Sequence, residues 1–144
     1  MTISEKYEAL IASLRKLTNS GKLSWLPISK ALGSSLGNNN FESYLIEYNR
    51  YIYAKGNNPI IEEYSSLFAT IEQGNVYLLR FTKQADKYFI IAVQNAHGKI
   101  LELNNDLTLQ NELAGLYDFI LEQQTESKNI EYIDQIIALT TDDD

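Results

Sequence analysis

Hydrophobic rhythm divides the chain into a helical start, a β-rich centre and a helical end. Ile3, Tyr7, Leu10, Ile11, Leu14 and Leu17 recur at helical spacing and line one face. Thr2 and Glu5 have capping-box spacing, in which each side chain takes a free N–H at the helix start. Gly21, after Asn19-Ser20, suits the left-handed cap that stops a helix. This pattern predicts a helix over residues 3–18. Leu23–Leu26 reads as a short strand limited by Pro27, which has no N–H to donate. Residues 29–40 (SKALGSSLGNNN) read as a loop, with one helical turn at its start.

Over 41–54, period and propensity disagree. Phe41, Tyr44, Leu45, Tyr48 and Ile52 share a helical face, and Asn39 with Glu42 offers a cap, whereas Tyr51-Ile52-Tyr53 prefers a strand. We read this stretch as a helix ended by Gly56 and Pro59. From Ser65 the pattern turns to β: Ser65–Ile71, Val76–Phe81, Tyr88–Val93 and Ile100–Leu103, separated by Glu72–Asn75, Thr82–Lys87 and Asn95–Lys99. Runs apolar on both faces predict central strands covered on both sides, or packed on one side and used for contact on the other. Leu109, Leu113, Leu116, Tyr117 and Ile120 then predict a helix over 108–122, capped by Asp106 or Thr108, with Gly115 marking close packing on the sheet. The polar stretch Gln123–Asn129 reads as a hinge before a last short segment with Ile130, Ile133 and Ile137 at helical spacing. The fold class expected is α+β. An antiparallel meander of four or five strands carries the N-terminal and C-terminal helices on one face, in one domain over 1–144.

Composition changes the picture mainly by exclusion. With 144 residues, 44% hydrophobic and 22% charged, the chain is large enough to bury a core without disulfides. It has no Cys and one His, which removes thiolate chemistry and leaves His97, in a predicted turn, as the sole imidazole base. No spacing among Glu62-Glu63, Glu102/Asp106 or the terminal aspartates marks a metal site, and no glycine-rich phosphate loop is present. No catalytic residue, cofactor or metal is assigned. The net charge is −7, and residues 129–144 contribute Glu131, Asp134, Asp142, Asp143 and Asp144 against no base. Nucleic acid is not an expected partner, because Arg80, Lys83, Lys87 and Lys99 are the only basic cluster. No apolar run is long enough to cross a membrane, and Met1 is followed by no signal-like segment, so a cytoplasmic location is expected.

Five of the ten tyrosines lie in 44–64. A helical 41–54 sends Tyr44 and Tyr48 to the core and turns Ile46 and Tyr53 away from it. Ile46, Tyr51 and Tyr53, with the acidic tail Asp142, Asp143 and Asp144 (about 140–144), are the candidate partner-contact residues. The leading functional expectation is a non-enzymatic protein-binding module, such as a small inhibitor, immunity or accessory protein. The alternative is a small-molecule-binding or catalytic domain with a Tyr-lined pocket between the sheet and residues 29–64, near Arg50. A homo-oligomer is a third reading.

The runs Gly74-Asn75-Val76-Tyr77-Leu78-Leu79, Tyr88–Asn95, Leu101-Glu102-Leu103-Asn104 and Glu112–Ile120, with Gly21-Lys22-Leu23-Ser24-Trp25, carry a resemblance. Together they resemble small uncharacterised bacterial α+β proteins, a domain of unknown function. The resemblance implies an α+β fold in a bacterial cytosol and transfers no residue role.

Overall fold

The computed structural model describes residues 2–32, 41–72, 74–103 and 107–141. Helix α1 (Ile3–Asn19) begins where the capping pair places it, with the Glu5 N–H donating to Thr2 Oγ1 at 3.2 Å. It ends in a Schellman motif: the Lys22 N–H donates to the Leu17 carbonyl at 3.0 Å, the Gly21 N–H donates to that of Thr18 at 3.2 Å, and Gly21 has φ 75°.

Among the described residues six strands form one antiparallel sheet: β1 (Trp25–Pro27), β2 (Ile60–Ile61), β3 (Leu67–Ile71), β4 (Gly74–Lys83), β5 (Asp86–Gln94) and β6 (Ile100–Glu102). The order is β1-β3-β4-β5-β6, and β2 pairs with β4 at Phe81 and Thr82, beyond the end of β3. The meander is therefore β3 to β6, with β1 added at one edge. Pro27 sits at the end of that edge strand, where a missing N–H does least harm.

Alternation of side chains gives the sheet two cores. On one face Leu67, Ala69, Val76, Leu78 and Ile91 meet α1 and the last helix, α3 (Leu107–Thr141). On the other, Phe68, Tyr77, Leu79, Phe81, Ile90 and Ile100 are covered by Ile28 and Ala31 around a 3-10 turn, by Phe41 and Tyr44 of α2 (Phe41–Glu47), and by Ile61. The two long helices share one face, as expected. Coverage of both faces explains why the central runs Val76–Leu79 of β4 and Tyr88–Val93 of β5 are apolar on both sides.

Two expectations need correction. The helix read over 41–54 stops at Glu47: the Arg50 N–H donates to the Leu45 carbonyl at 2.9 Å and Asn49 takes φ 52°, a second Schellman motif built on asparagine. The chain then re-enters as β structure, with Tyr51 bridging Ile60 in parallel and the Ile61 N–H donating to the Tyr51 carbonyl at 2.8 Å. Asn39, the expected cap, lies outside the described residues. The second correction is larger. There is no hinge at 123–129; α3 is one helix of 35 residues. Beyond Gly115 the helix contains neither Gly nor Pro, and Gln, Glu and Lys are good helix formers. Gly115 itself faces α1, since a methyl group there would lie 3.3 Å from Arg15 Nη2. Asp106 lies outside the described residues.

Candidate functional site: the overhanging half of the last helix

Helix α3 crosses the sheet from one edge to the other, and two glutamines hold it there. Phe89 turns its backbone outward from β5, because the N–H and carbonyl of its neighbour Arg80 are taken by Ser66 Oγ (2.9 Å) and the Glu62 N–H (2.9 Å) on the opposite side. The Gln110 side chain meets that exposed edge as a strand would. Its Oε1 accepts from the Phe89 N–H at 2.8 Å, and its Nε2 donates to the Phe89 carbonyl at 2.5 Å. Fourteen residues further on, by the numbering, Gln124 Nε2 donates to the Trp25 carbonyl of β1 at 3.0 Å. Between them Leu113, Leu116, Tyr117 and Ile120 are buried in the core, as is Leu109 just before the first pin. Both pins close unpaired backbone that would otherwise invite another strand.

Past Gln124 the helix leaves the body. Every described side chain from Thr125 to Thr140 is exposed. This overhang spans roughly 25 Å at 1.5 Å per residue. It carries Ile130, Tyr132, Ile133, Ile136, Ile137 and Leu139, each 52–69% exposed. At about 100° per residue these six fan over roughly half the helix circumference. The direction that points into the core earlier in α3 continues instead through Ser127, Glu131, Asp134 and Ala138. The apolar arc is thus not a continuation of the core stripe. It faces away from the side on which a longer sheet would lie.

The tyrosine-rich segment behaves differently. Ile46 is 79% exposed on α2 and Tyr53 is 61% exposed, with its ring edge-on to half-buried Tyr51 at 6.0 Å. Lys55 Nζ lies 4.9 Å from the Tyr51 ring centroid. Asp142, Asp143 and Asp144 lie outside the described residues. The Tyr, Arg and Glu groups that a ligand pocket would draw on do converge on the covered face, and they are paired with one another. Arg50 makes a fork to Glu102, with Nε to Oε1 and Nη2 to Oε2 both at 2.8 Å. The Tyr44 hydroxyl also donates to Glu102 Oε1, and the Tyr48 hydroxyl donates to the Ile100 carbonyl at 3.2 Å. Arg50 lies 5.0 Å above Phe81, which stacks on Tyr88 at 5.2 Å. This cluster clamps α2 and the residues after it onto β6.

Other candidates are likewise tied to structure. His97 is exposed in the β5–β6 turn, where its backbone N–H donates to Asn95 Oδ1 at 3.0 Å. Of the basic cluster, Arg80 and Lys87 both face Glu62, each at 3.5 Å. A groove of about 490 Å³ between α1 and α3 is lined by acids and bases together, Glu8 and Glu112 with Arg15 and Lys16. Among the described residues no three His, Asp or Glu side chains stand close enough to share a metal ion, and no helix is long and apolar enough to cross a membrane.

Burial pushes the phenols of Tyr44, Tyr77, Tyr88 and Tyr117 above the usual tyrosine range, and the Glu102 carboxylate raises Tyr44 further. A raised phenol pKa stabilises the fold fully below about pH 10, and that contribution is lost as pH rises further, because the unfolded chain ionises first. Each tyrosine held neutral in the fold costs about 1.4 kcal/mol per pH unit above that point. Urea unfolding from pH 8 to 11 should show a steep loss beginning near pH 10. A flat profile would show these hydroxyls to be free to ionise in the native state.

Comparison with protein-family models, with curated proteins and with solved structures returns no match. The functional reading therefore rests on the geometry alone. Ile130, Ile133 and Ile137 were visible from their spacing; Tyr132, Ile136 and Leu139 were not. The signal that would have found them is the Gly- and Pro-free run after Gly115.

Proposed function

We propose that this chain is a non-enzymatic protein-binding module that holds its partner through the distal half of α3. The observation that carries the reading is the overhang, which presents six large apolar side chains beyond the core that the rest of the helix builds. Contiguous apolar area of this kind on a soluble surface marks a contact site. A helix offering anchors at helical spacing is a common recognition mode. The polar clamp at Glu102 and the amide network in the sheet support the same reading, since their groups are paired internally.

The test compares the full chain with a variant carrying Ile133→Asp and Ile137→Asp. Neither residue touches the core, so the urea midpoint should stay within about 0.5 kcal/mol of the parent. Association with a defined protein, measured at stoichiometric level and including association with itself, should be lost. Association unchanged by both substitutions would overturn the reading and move attention to Ile46, Tyr51 and Tyr53.

A further inference from the structure

Resting on that reading, we infer that an order–disorder equilibrium switches the contact face of α3. The segment beyond Gln124 unwinds from its free end back to that residue while the body stays folded, and binding draws on the ordered fraction. The first reason is the place of the last anchor. The Gln124 pin on the Trp25 carbonyl is tied on into α1, because Trp25 Nε1 donates to Thr18 Oγ1 at 2.9 Å. That hydroxyl in turn donates to the Leu14 carbonyl at 2.7 Å. Past this chain of bonds, every described side chain through Thr140 is exposed. Packing of an apolar face supplies most helical stability in proteins, and here none is packed on the body. The proximal half shows the contrast. Gly115, the poorest helix former in α3, is tolerated there because Leu113 and Leu116 beside it are fully buried.

The second reason is composition. Of the sixteen residues 125–140, ten are Ile, Thr, Ser, Asn, Asp or Tyr. Each of these types extends a helix roughly two- to threefold less readily than Ala does. Even the best helix formers have a propagation factor of only about 1–1.6 near 0 °C, so at these ten positions it falls to about one or below. The stem at Gln124 removes the cost of nucleation, but extension must still be favourable at each step. The population of longer helix therefore shrinks with distance from the pin. Charge gives nothing back. None of Glu126, Lys128, Glu131 and Asp134 takes part in an ion pair among the described residues, and the last turn holds no base to complement the helix dipole. The consequence for binding is direct. The apparent dissociation constant is the intrinsic one divided by the ordered fraction, so any change that favours helix in this segment tightens the contact.

Hydrogen exchange of the free full chain tests the equilibrium without any partner. Amides over 126–140 should exchange within about tenfold of an unstructured peptide, while those of Leu113, Leu116 and Ile120 are slowed by roughly a thousandfold or more. Equal protection of both halves overturns the inference and leaves the contact site standing. The switch is tested by Ser127→Ala combined with Asp134→Ala, both on the side of the helix away from the apolar arc. The pair should raise protection over 126–140 by about fivefold and leave the urea midpoint unchanged. Association with the defined protein of the preceding test should tighten by the same factor. Protection that does not rise, or that rises without tighter association, overturns the inference. If association instead survives Ile133→Asp with Ile137→Asp, the contact reading falls and the switch falls with it.

Discussion

Gly74→Ala should destabilise the protein by about 2–4 kcal/mol, far more than the few tenths expected at an ordinary strand surface. Gly74 opens β4 directly against the end of β5. A Cβ there would lie 1.8 Å from the Gln94 carbonyl oxygen and 2.8 Å from its carbon. That distance is inside any van der Waals contact, and the obstacle is backbone, which cannot swing aside. Gly74 falls in the connection Glu72–Asn75, but a turn is only part of its role; close approach of two strands is the rest. Gln94 cannot retreat cheaply either. Its side-chain oxygen accepts from Asn75 Nδ2 at 2.6 Å and from the Tyr77 hydroxyl at 3.0 Å, while its Nε2 donates to the Gly98 carbonyl at 3.1 Å. These groups are buried, so a displaced Gln94 leaves polar atoms unpaired away from water. Chemical denaturation of the variant measures the cost. A loss below about 1 kcal/mol would mean that β4 and β5 part easily here.

Glu102→Ala should cost about 2–4 kcal/mol, because it removes one carboxylate from two partners at once. Arg50 would keep its charge in a site where only 23% of its side chain is exposed, and the buried Tyr44 hydroxyl would lose its acceptor. Much of that loss is the penalty of an unpaired charge rather than the worth of the pair. The double variant Glu102→Ala with Arg50→Met should therefore recover part of it. Unfolding midpoints for the two single variants and the double variant measure the coupling. If Glu102→Ala alone costs less than about 0.5 kcal/mol, the clamp contributes nothing beyond a surface ion pair.

The elements legible in the sequence are those whose signals are local. Helix α1 is bounded by Thr2 and Gly21, and the β4–β5 hairpin is announced by two apolar runs, although the polar stretch read as its connection, Thr82–Lys87, is strand at both ends and turns only at Gln84 and Ala85. Strand β2 escaped because Ile60 and Ile61 are strand only by pairing with Phe81 and Thr82, on the part of β4 that β3 leaves open. The end of α2 was hidden because asparagine at 49 can continue a helix or stop it, and contact of Tyr51 with Ile60 decides between them. The polar run 123–129 has the composition of a loop and the propensities of a helix. Once Gln124 docks on Trp25, the backbone has a rigid turn to extend, and adding residues to an existing helix is far easier than starting one.

By itself, the sequence determined the fold class, the strands apolar on both faces, and the scarcity of catalytic side chains. These follow from residue type and period, which need no knowledge of distant neighbours. Only the tertiary structure decided which charges meet, as Arg50 with Glu102 and Arg80 with Glu62. It also decided why Gly74 must lack a side chain, and where α3 runs out of sheet. Each of these depends on residues far apart in the chain being brought within a few ångströms. The overhang is the clearest case: Ile133 is apolar in any reading, but it is exposed because it lies on the side of α3 turned away from the sheet, where no described element covers it.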